Sequence, residues 1–254
     1  MEKPELRFGL FFVLSQLSPL SLDFPPVENS LVDPNGLLAF GGDLSTPRLI
    51  AAYEHGIFPW FCDGEPIMWW SPNPRTVFLP GQLHVSRSLK KFVRKTTFSY
   101  SINQAFEEVI QACAEVHEEK TGTWITEEMI NAYVELHQLG KAHSVEVWQD
   151  NELVGGLYGV LVGSTFCGES MFHKATNASK CALLALETHL SPAGLKLIDC
   201  QVPNEHLYSL GAIDLPRHQY IQQLNLGKAT QILNRFLAPQ AIMMNELAIS
   251  TETR

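Results

Sequence analysis

Residues 144–172 read SVEVWQDNELVGGLYGVLVGSTFCGESMF, and their pattern decides the fold class. Apolar and polar side chains alternate over residues 144–149, the period of a strand with one buried face. Asp150 and Asn151 tolerate left-handed backbone, so the chain turns there. Residues 153–162 read as the hairpin partner and residues 164–172 as another strand. Residues 178–189 follow with helical periodicity, and residues 195–202 read as a final buried strand. An antiparallel pair, a third strand, a helix and a further strand make a mixed sheet flanked by helices.

Upstream, helices are expected at residues 84–95, 104–117 and 127–138, the last with Thr126 as its N-cap. The first 75 residues are different. Pro25-Pro26, Asp33-Pro34-Asn35-Gly36, Gly41-Gly42-Asp43 and Ser71-Pro72-Asn73-Pro74 break every short apolar stretch. One helix fits, with Ser45 as N-cap, Pro47 in the first turn and Gly56 as its stop. The fold class is therefore α+β: a small loop-rich N-terminal domain over residues 1–75, then a larger domain over residues 76–254. Trp69 and Trp70 read as core.

Of 254 residues, 45% are hydrophobic and 18% charged, which is globular composition. No apolar run reaches the roughly 18 residues that span a bilayer. Residues 8–14 are apolar behind Lys3 and Arg7, but Ser15-Gln16-Leu17-Ser18 offers no small-x-small cleavage site, so a strand or docked segment is expected there. Five scattered cysteines exclude a disulfide framework and suit a reducing cytoplasm. The nine histidines lack ligand spacing, so no metal is expected.

The net charge of −9 speaks against binding nucleic acid as a bulk property. Its distribution speaks differently. Arg87, Lys90, Lys91, Arg94 and Lys95 fall on one face of the helix expected at 84–95, with Val85, Leu89, Phe92 and Val93 opposite. Such a stripe is either a solvated face or a contact for phosphates.

Ile198-Asp199-Cys200-Gln201-Val202 is apolar apart from Asp199 and Gln201, which strand alternation places on one side. Glu169 and Met171 repeat this in Gly168-Glu169-Ser170-Met171-Phe172, where Gly168 permits close approach of a ligand. Carboxylates inside apolar strands are costly without a partner. They either satisfy a local amide or arginine, or they serve a site.

With Gly41-Gly42-Asp43-Leu44-Ser45, Gly56-Ile57-Phe58-Pro59-Trp60-Phe61, Trp69-Trp70-Ser71-Pro72-Asn73-Pro74-Arg75 and Thr123-Trp124-Ile125-Thr126 preceding these two strands in order, the chain resembles the bacterial leucyl/phenylalanyl-tRNA–protein transferase family. The resemblance runs from about Phe24 to Tyr220. It implies a GNAT-like catalytic domain behind the small one. It also implies transfer of Leu or Phe (Met less well) from aminoacyl-tRNA to proteins beginning with Arg or Lys, marking them for N-degron proteolysis. Asp199 and Gln201 match the catalytic pair. Leu157, Gly168, Glu169, Met171 and Ile198 match the aminoacyl pocket, with Leu157 standing where the family has Met. Tyr53, Phe58, Trp60, Trp124 and Asn204 match positions around the tRNA 3′ end, and the five cations match the helix that contacts the tRNA backbone.

An aminoacyl ester is already activated, so neither cofactor nor metal is implied, and no membrane partner. The Gln201 amide oxygen is expected to accept from the attacking amine while Asp199 orients and polarises Gln201. Two other readings compete with this one. An acyl-CoA-dependent GNAT transferase would need a glycine-rich loop, and Thr176-Asn177-Ala178-Ser179-Lys180 has no glycine. A non-catalytic tRNA-binding module would leave Asp199 and Gln201 without a role.

Overall fold

A computed structural model describes residues 14–121 and 124–244. Most of the apolar stretch at 8–14, and Thr123 of the Trp124 motif, lie outside the described residues. In chain order the elements are β1 Ser15–Leu17, β2 Leu37–Gly41, α1 Thr46–Glu54, β3 Phe58–Pro59, β4 Met68–Trp70, β5 Arg75–Phe78 and α2 Arg87–Val93. Then come β6 Ser99–Ile102, α3 Phe106–Thr121, α4 Glu127–Gln138, β7 Ala142–Gln149, β8 Glu152–Val162 and β9 Thr165–His173. The remainder is α5 Ala178–Leu190, β10 Leu197–Asp199, α6 Glu205–Ser209, β11 Ile213–Leu215, α7 Arg217–Lys228, α8 Asn234–Leu237 and β12 Gln240–Ile242. None of these helices is long and apolar enough to cross a membrane.

The N-terminal strands form a four-stranded sheet in the order β1-β2-β4-β3, and the rest an eight-stranded sheet in the order β11-β5-β10-β9-β8-β7-β6-β12. The architecture is α+β, as expected. The 150–151 turn is where the sequence placed it, with φ of 53° and 65°, closing β7 on β8. Side chains alternate across the large sheet. Tyr158 and Val160 join the core under α3 and α4, while Leu157 and Phe166 join the core under α5. Trp69 and Trp70 are buried, and their indole N–H groups donate to Gly41 O at 2.9 Å and Trp60 O at 2.7 Å.

Several boundaries differ from expectation. The helix expected at 84–95 is shorter, because Ser86 caps it by accepting from the Leu89 N–H at 3.2 Å. The helix expected from 104 begins at Phe106, after Asn103 takes a left-handed φ of 58°. Ser45 holds the N-cap position of α1 without a side-chain cap bond.

The strand expected at 195–202 corrects most. It is three residues long, it is not final, and β11 and β12 follow. Its early end has a chemical cause. The Asp199 carboxylate captures the Gln201 N–H at 2.8 Å, and Gln201 turns left-handed at φ 64°. A short acidic side chain that bonds two residues ahead competes with the ladder and ends it. The face shared by alternation between Asp199 and Gln201 therefore does not exist.

Candidate active site

β9 and β10 are parallel neighbours, paired from Leu197↔Thr165 to Asp199↔Cys167. Beyond that point β9 continues, whereas the chain after Asp199 bends away. Crevices at the carboxyl ends of diverging parallel strands are natural ligand sites. Here the crevice is a cavity of about 200 Å³, larger than the ~150 Å³ apolar cavity that accommodates benzene.

Its floor is apolar, built from Phe78, Leu157, Phe166, Met171, Leu183 and Ile198. Glu169, Asp199 and Gln201 lie along its polar edge, while Phe58, Trp60, Trp124 and Asn204 complete its wall. Gly168 also lines it; a Cβ there would stand 3.4 Å from the Asp199 carbonyl oxygen. The sequence-derived pocket and 3′-end residues thus gather around one opening, except Tyr53. Tyr53 is 1% exposed and sits behind the cavity, its hydroxyl bonded to that of Tyr133. The five cations line a separate shallow concavity around α2, two of them at or beyond its C-terminal end, where positive charge suits the helix dipole.

Asp199 is fully buried and fully partnered. Arg75 grips it with Nε to Oδ1 at 2.8 Å and Nη2 to Oδ2 at 2.7 Å. The Tyr220 hydroxyl donates to Oδ2 at 2.8 Å. Arg75 in turn donates to Gly56 O at 3.3 Å and lies against the rings of Phe58 and Tyr220. Burial alone would weaken the guanidinium charge, but Asp199 beside it raises the Arg75 pKa. A carboxylate held this way is an anchor rather than a base. Its action on Gln201 is through the backbone N–H, which corrects the expectation that it polarises the side-chain amide.

The Gln201 side chain is held by Glu169 instead. Nε2 donates to Glu169 Oε1 at 2.8 Å, and no described group donates to the Gln201 Oε1. Glu169 Oε2 accepts from the Tyr133 hydroxyl at 3.2 Å. Burial pushes the Glu169 carboxyl up to about 8, against the pull of the Tyr53 and Tyr133 hydroxyls. The sequence alone assigns no role to Arg75, Tyr133 or Tyr220. Arg75 closes the motif that begins at Trp69, whereas nothing near Tyr133 or Tyr220 distinguishes them from core tyrosines.

A family model described as "Leucyl/phenylalanyl-tRNA protein transferase" matches residues 77–225, and one for the N-terminal domain of the same transferases matches residues 42–73. A leucyl/phenylalanyl-tRNA–protein transferase of Idiomarina loihiensis is 57% identical over 224 residues, covering 88% of this chain and 95% of that one. One of Pectobacterium carotovorum is 62% identical over 212 residues, covering 84% and 90%. Among solved structures, a GCN5-related N-acetyltransferase from Kribbella flavida aligns over 66% of this chain and 59% of that chain, with a TM-score of 0.36 at 13% identity.

Proposed function

Because the chain belongs to the leucyl/phenylalanyl-tRNA protein transferase family, we propose that it moves leucine or phenylalanine, and methionine less well, from tRNA onto the N-terminal amine of proteins beginning with Arg or Lys. It is an aminoacyltransferase, and the product is marked for N-degron proteolysis. The observation that carries this reading is the setting of Gln201 on an apolar cavity. Its N–H and Nε2 are both tied down, and its Oε1 is left to accept.

The reaction is attack of a neutral amine on an aminoacyl ester. The nitrogen forms a bond to the carbonyl carbon, the ribose oxygen leaves, and the proton shed by the amine ends on that oxygen. An N-terminal amine has a pKa near 8, so about a tenth is nucleophilic at pH 7. The ester carries its own activation, so positioning is the protein's main task, worth on the order of 7–11 kcal/mol. In this reading Leu157, Gly168, Met171 and Ile198 receive the aminoacyl side chain, and β-branched side chains are refused by shape. The faces of Phe58, Trp60 and Trp124, with Asn204, hold the 3′-terminal adenosine, since bases stack on aromatic side chains. Arg87, Lys90, Lys91, Arg94 and Lys95 meet tRNA phosphates. Gln201 Oε1 accepts from the attacking amine, and Asp199 fixes the turn that carries it. The acidic balance of the chain favours a cationic acceptor.

A division near residues 75–76 is supported by the four-stranded sheet ending at Trp70. Work in the cytoplasm follows from the need for charged tRNA. The test is to incubate the protein with labelled Leu-tRNA or Phe-tRNA and peptides beginning with Arg, Lys or Glu. Label should pass to the first two. Equal labelling of the Glu peptide contradicts the acceptor assignment, and no labelling of any peptide contradicts the activity.

A further inference from the structure

The Gln201 amide can face the cavity in two ways, related by a half-turn about its last side-chain bond. One presents the carbonyl oxygen, an acceptor for an amine N–H; the other presents the NH2 group, which cannot accept. The choice is made by Glu169. A carboxylate accepts only, so it draws Nε2 inward, as observed at 2.8 Å. A protonated carboxyl keeps an acceptor oxygen but can also donate, and with its proton on Oε1 it draws the amide oxygen inward instead. Orientation of the amide therefore depends on Glu169 staying charged in a place where burial opposes charge.

Behind Glu169 stands a ladder of hydroxyls. Tyr133 of α4 donates to Oε2 at 3.2 Å, and the Tyr53 hydroxyl of α1 bonds to that of Tyr133. Both tyrosines are essentially fully buried, and their rings pack edge to face. Neither lines the cavity. We propose that Tyr133 and Tyr53 are positioning residues for the transfer: through Glu169 they hold the Gln201 amide with its carbonyl oxygen toward the incoming amine. This rests on the transferase reading and adds to it two residues that touch no substrate.

The groups facing Glu169 are Tyr53, Tyr133, Tyr158 of β8, Cys167 of its own strand, Asp199 and Arg75. Burial raises the tyrosines and Cys167, so they stay neutral. Asp199 and Arg75 are paired with each other and act on Glu169 in opposite directions, the carboxylate raising it and the guanidinium lowering it. Beside the Gln201 Nε2–H, the two hydroxyls are the hydrogen-bond donors that favour the carboxylate. Removing a rung raises the Glu169 pKa further, so less of the competent form exists at neutral pH and more is regained as pH rises.

The experiment is single-turnover transfer from Phe-tRNA to an Arg-peptide between pH 6.5 and 9. It compares wild type, Tyr133→Phe, Tyr53→Phe and the double variant, with aminoacyl-tRNA Kd and Tm measured alongside. Tyr133→Phe should slow transfer about 10- to 100-fold at pH 7, the worth of one hydrogen bond to a charged group, with Kd unchanged. The wild-type to variant ratio should shrink toward pH 9, which isolates Glu169 because the acceptor amine titrates alike in both. The double variant should lose less than the two single losses combined, since the two hydroxyls bond each other as well as acting on Glu169. Should Tyr133→Phe fail to fold, Tyr53→Phe must still show the shrinking ratio. A pH-independent ratio, a wild-type rate in Tyr133→Phe, or additive losses overturn the proposal while leaving the transferase reading intact. Absence of transfer by the wild type overturns both.

Discussion

Asp199 and Gln201 meet through the backbone: the Gln201 N–H donates to Asp199 Oδ1 at 2.8 Å, while the Gln201 side chain turns away to Glu169. Two carboxylates thus divide the control of one glutamine. Asp199 sets where its Cα stands, and Glu169 sets which end of its amide faces the cavity. A left-handed backbone at a residue other than glycine costs free energy, and it persists at φ 64° because both ends of the residue are held.

Asp199→Asn should behave first as a folding defect. It leaves the buried Arg75 charge without its partner, which costs about 3–5 kcal/mol. In a chain of 254 residues that is a fall in Tm of roughly 10 °C. Thermal unfolding followed by circular dichroism checks it, and an unchanged Tm would refute the anchoring role.

The indoles divide into two classes. Trp124 lies at the cavity and is half-buried, so Trp124→Ala should weaken aminoacyl-tRNA binding by about 1–3 kcal/mol, the worth of one stacked base, with a small change in Tm. Trp69 is wholly buried in the N-terminal sheet, and Trp69→Ala should cost about 3–5 kcal/mol of stability. Titration calorimetry and thermal melts of both variants separate the two effects; the reverse pattern would contradict the placement of the 3′ end.

On the apolar floor, Leu157→Ala enlarges the cavity beside Met171. It should raise the preference for Phe-tRNA over Leu-tRNA by about 10-fold or more, since each methylene of fit is worth roughly 1–3 kcal/mol. Competition between the two charged tRNAs measures the ratio directly. No change in that ratio would place the aminoacyl side chain elsewhere.

Along α2, the Lys91→Ala/Arg94→Ala double variant should lower tRNA affinity. The slope of log Kd against log salt should become shallower by about one for each phosphate that is no longer neutralised. A slope equal to wild type would return the stripe to a solvated face.

The sequence was informative where one periodicity or one turn decided an element. The hairpin at Asp150-Asn151, the strand carrying Glu169 and the capped start of α4 at Thr126 all follow local rules. It was misleading at residues 199–202, because alternation assumes an unbroken strand and a side chain intercepted the ladder. It was silent on Arg75, Tyr133 and Tyr220, whose partners lie 124, 36 and 21 residues away. Tyr53, expected at the 3′ end through the family resemblance, stands behind the cavity with its hydroxyl on that of Tyr133 of α4, 80 residues away in the chain. Pairings of that range are set by packing between elements, which leaves no trace in a local pattern.

In the proposed transfer, the Gln201 carbonyl oxygen receives the attacking amine. This contact is tested most directly by single-turnover transfer of Phe from saturating Phe-tRNA to an Arg-peptide with Gln201→Ala, alongside the Kd for Phe-tRNA. The expected rate is about 10- to 100-fold below wild type, one hydrogen bond to developing charge, at an unchanged Kd. A wild-type rate in that variant would contradict it.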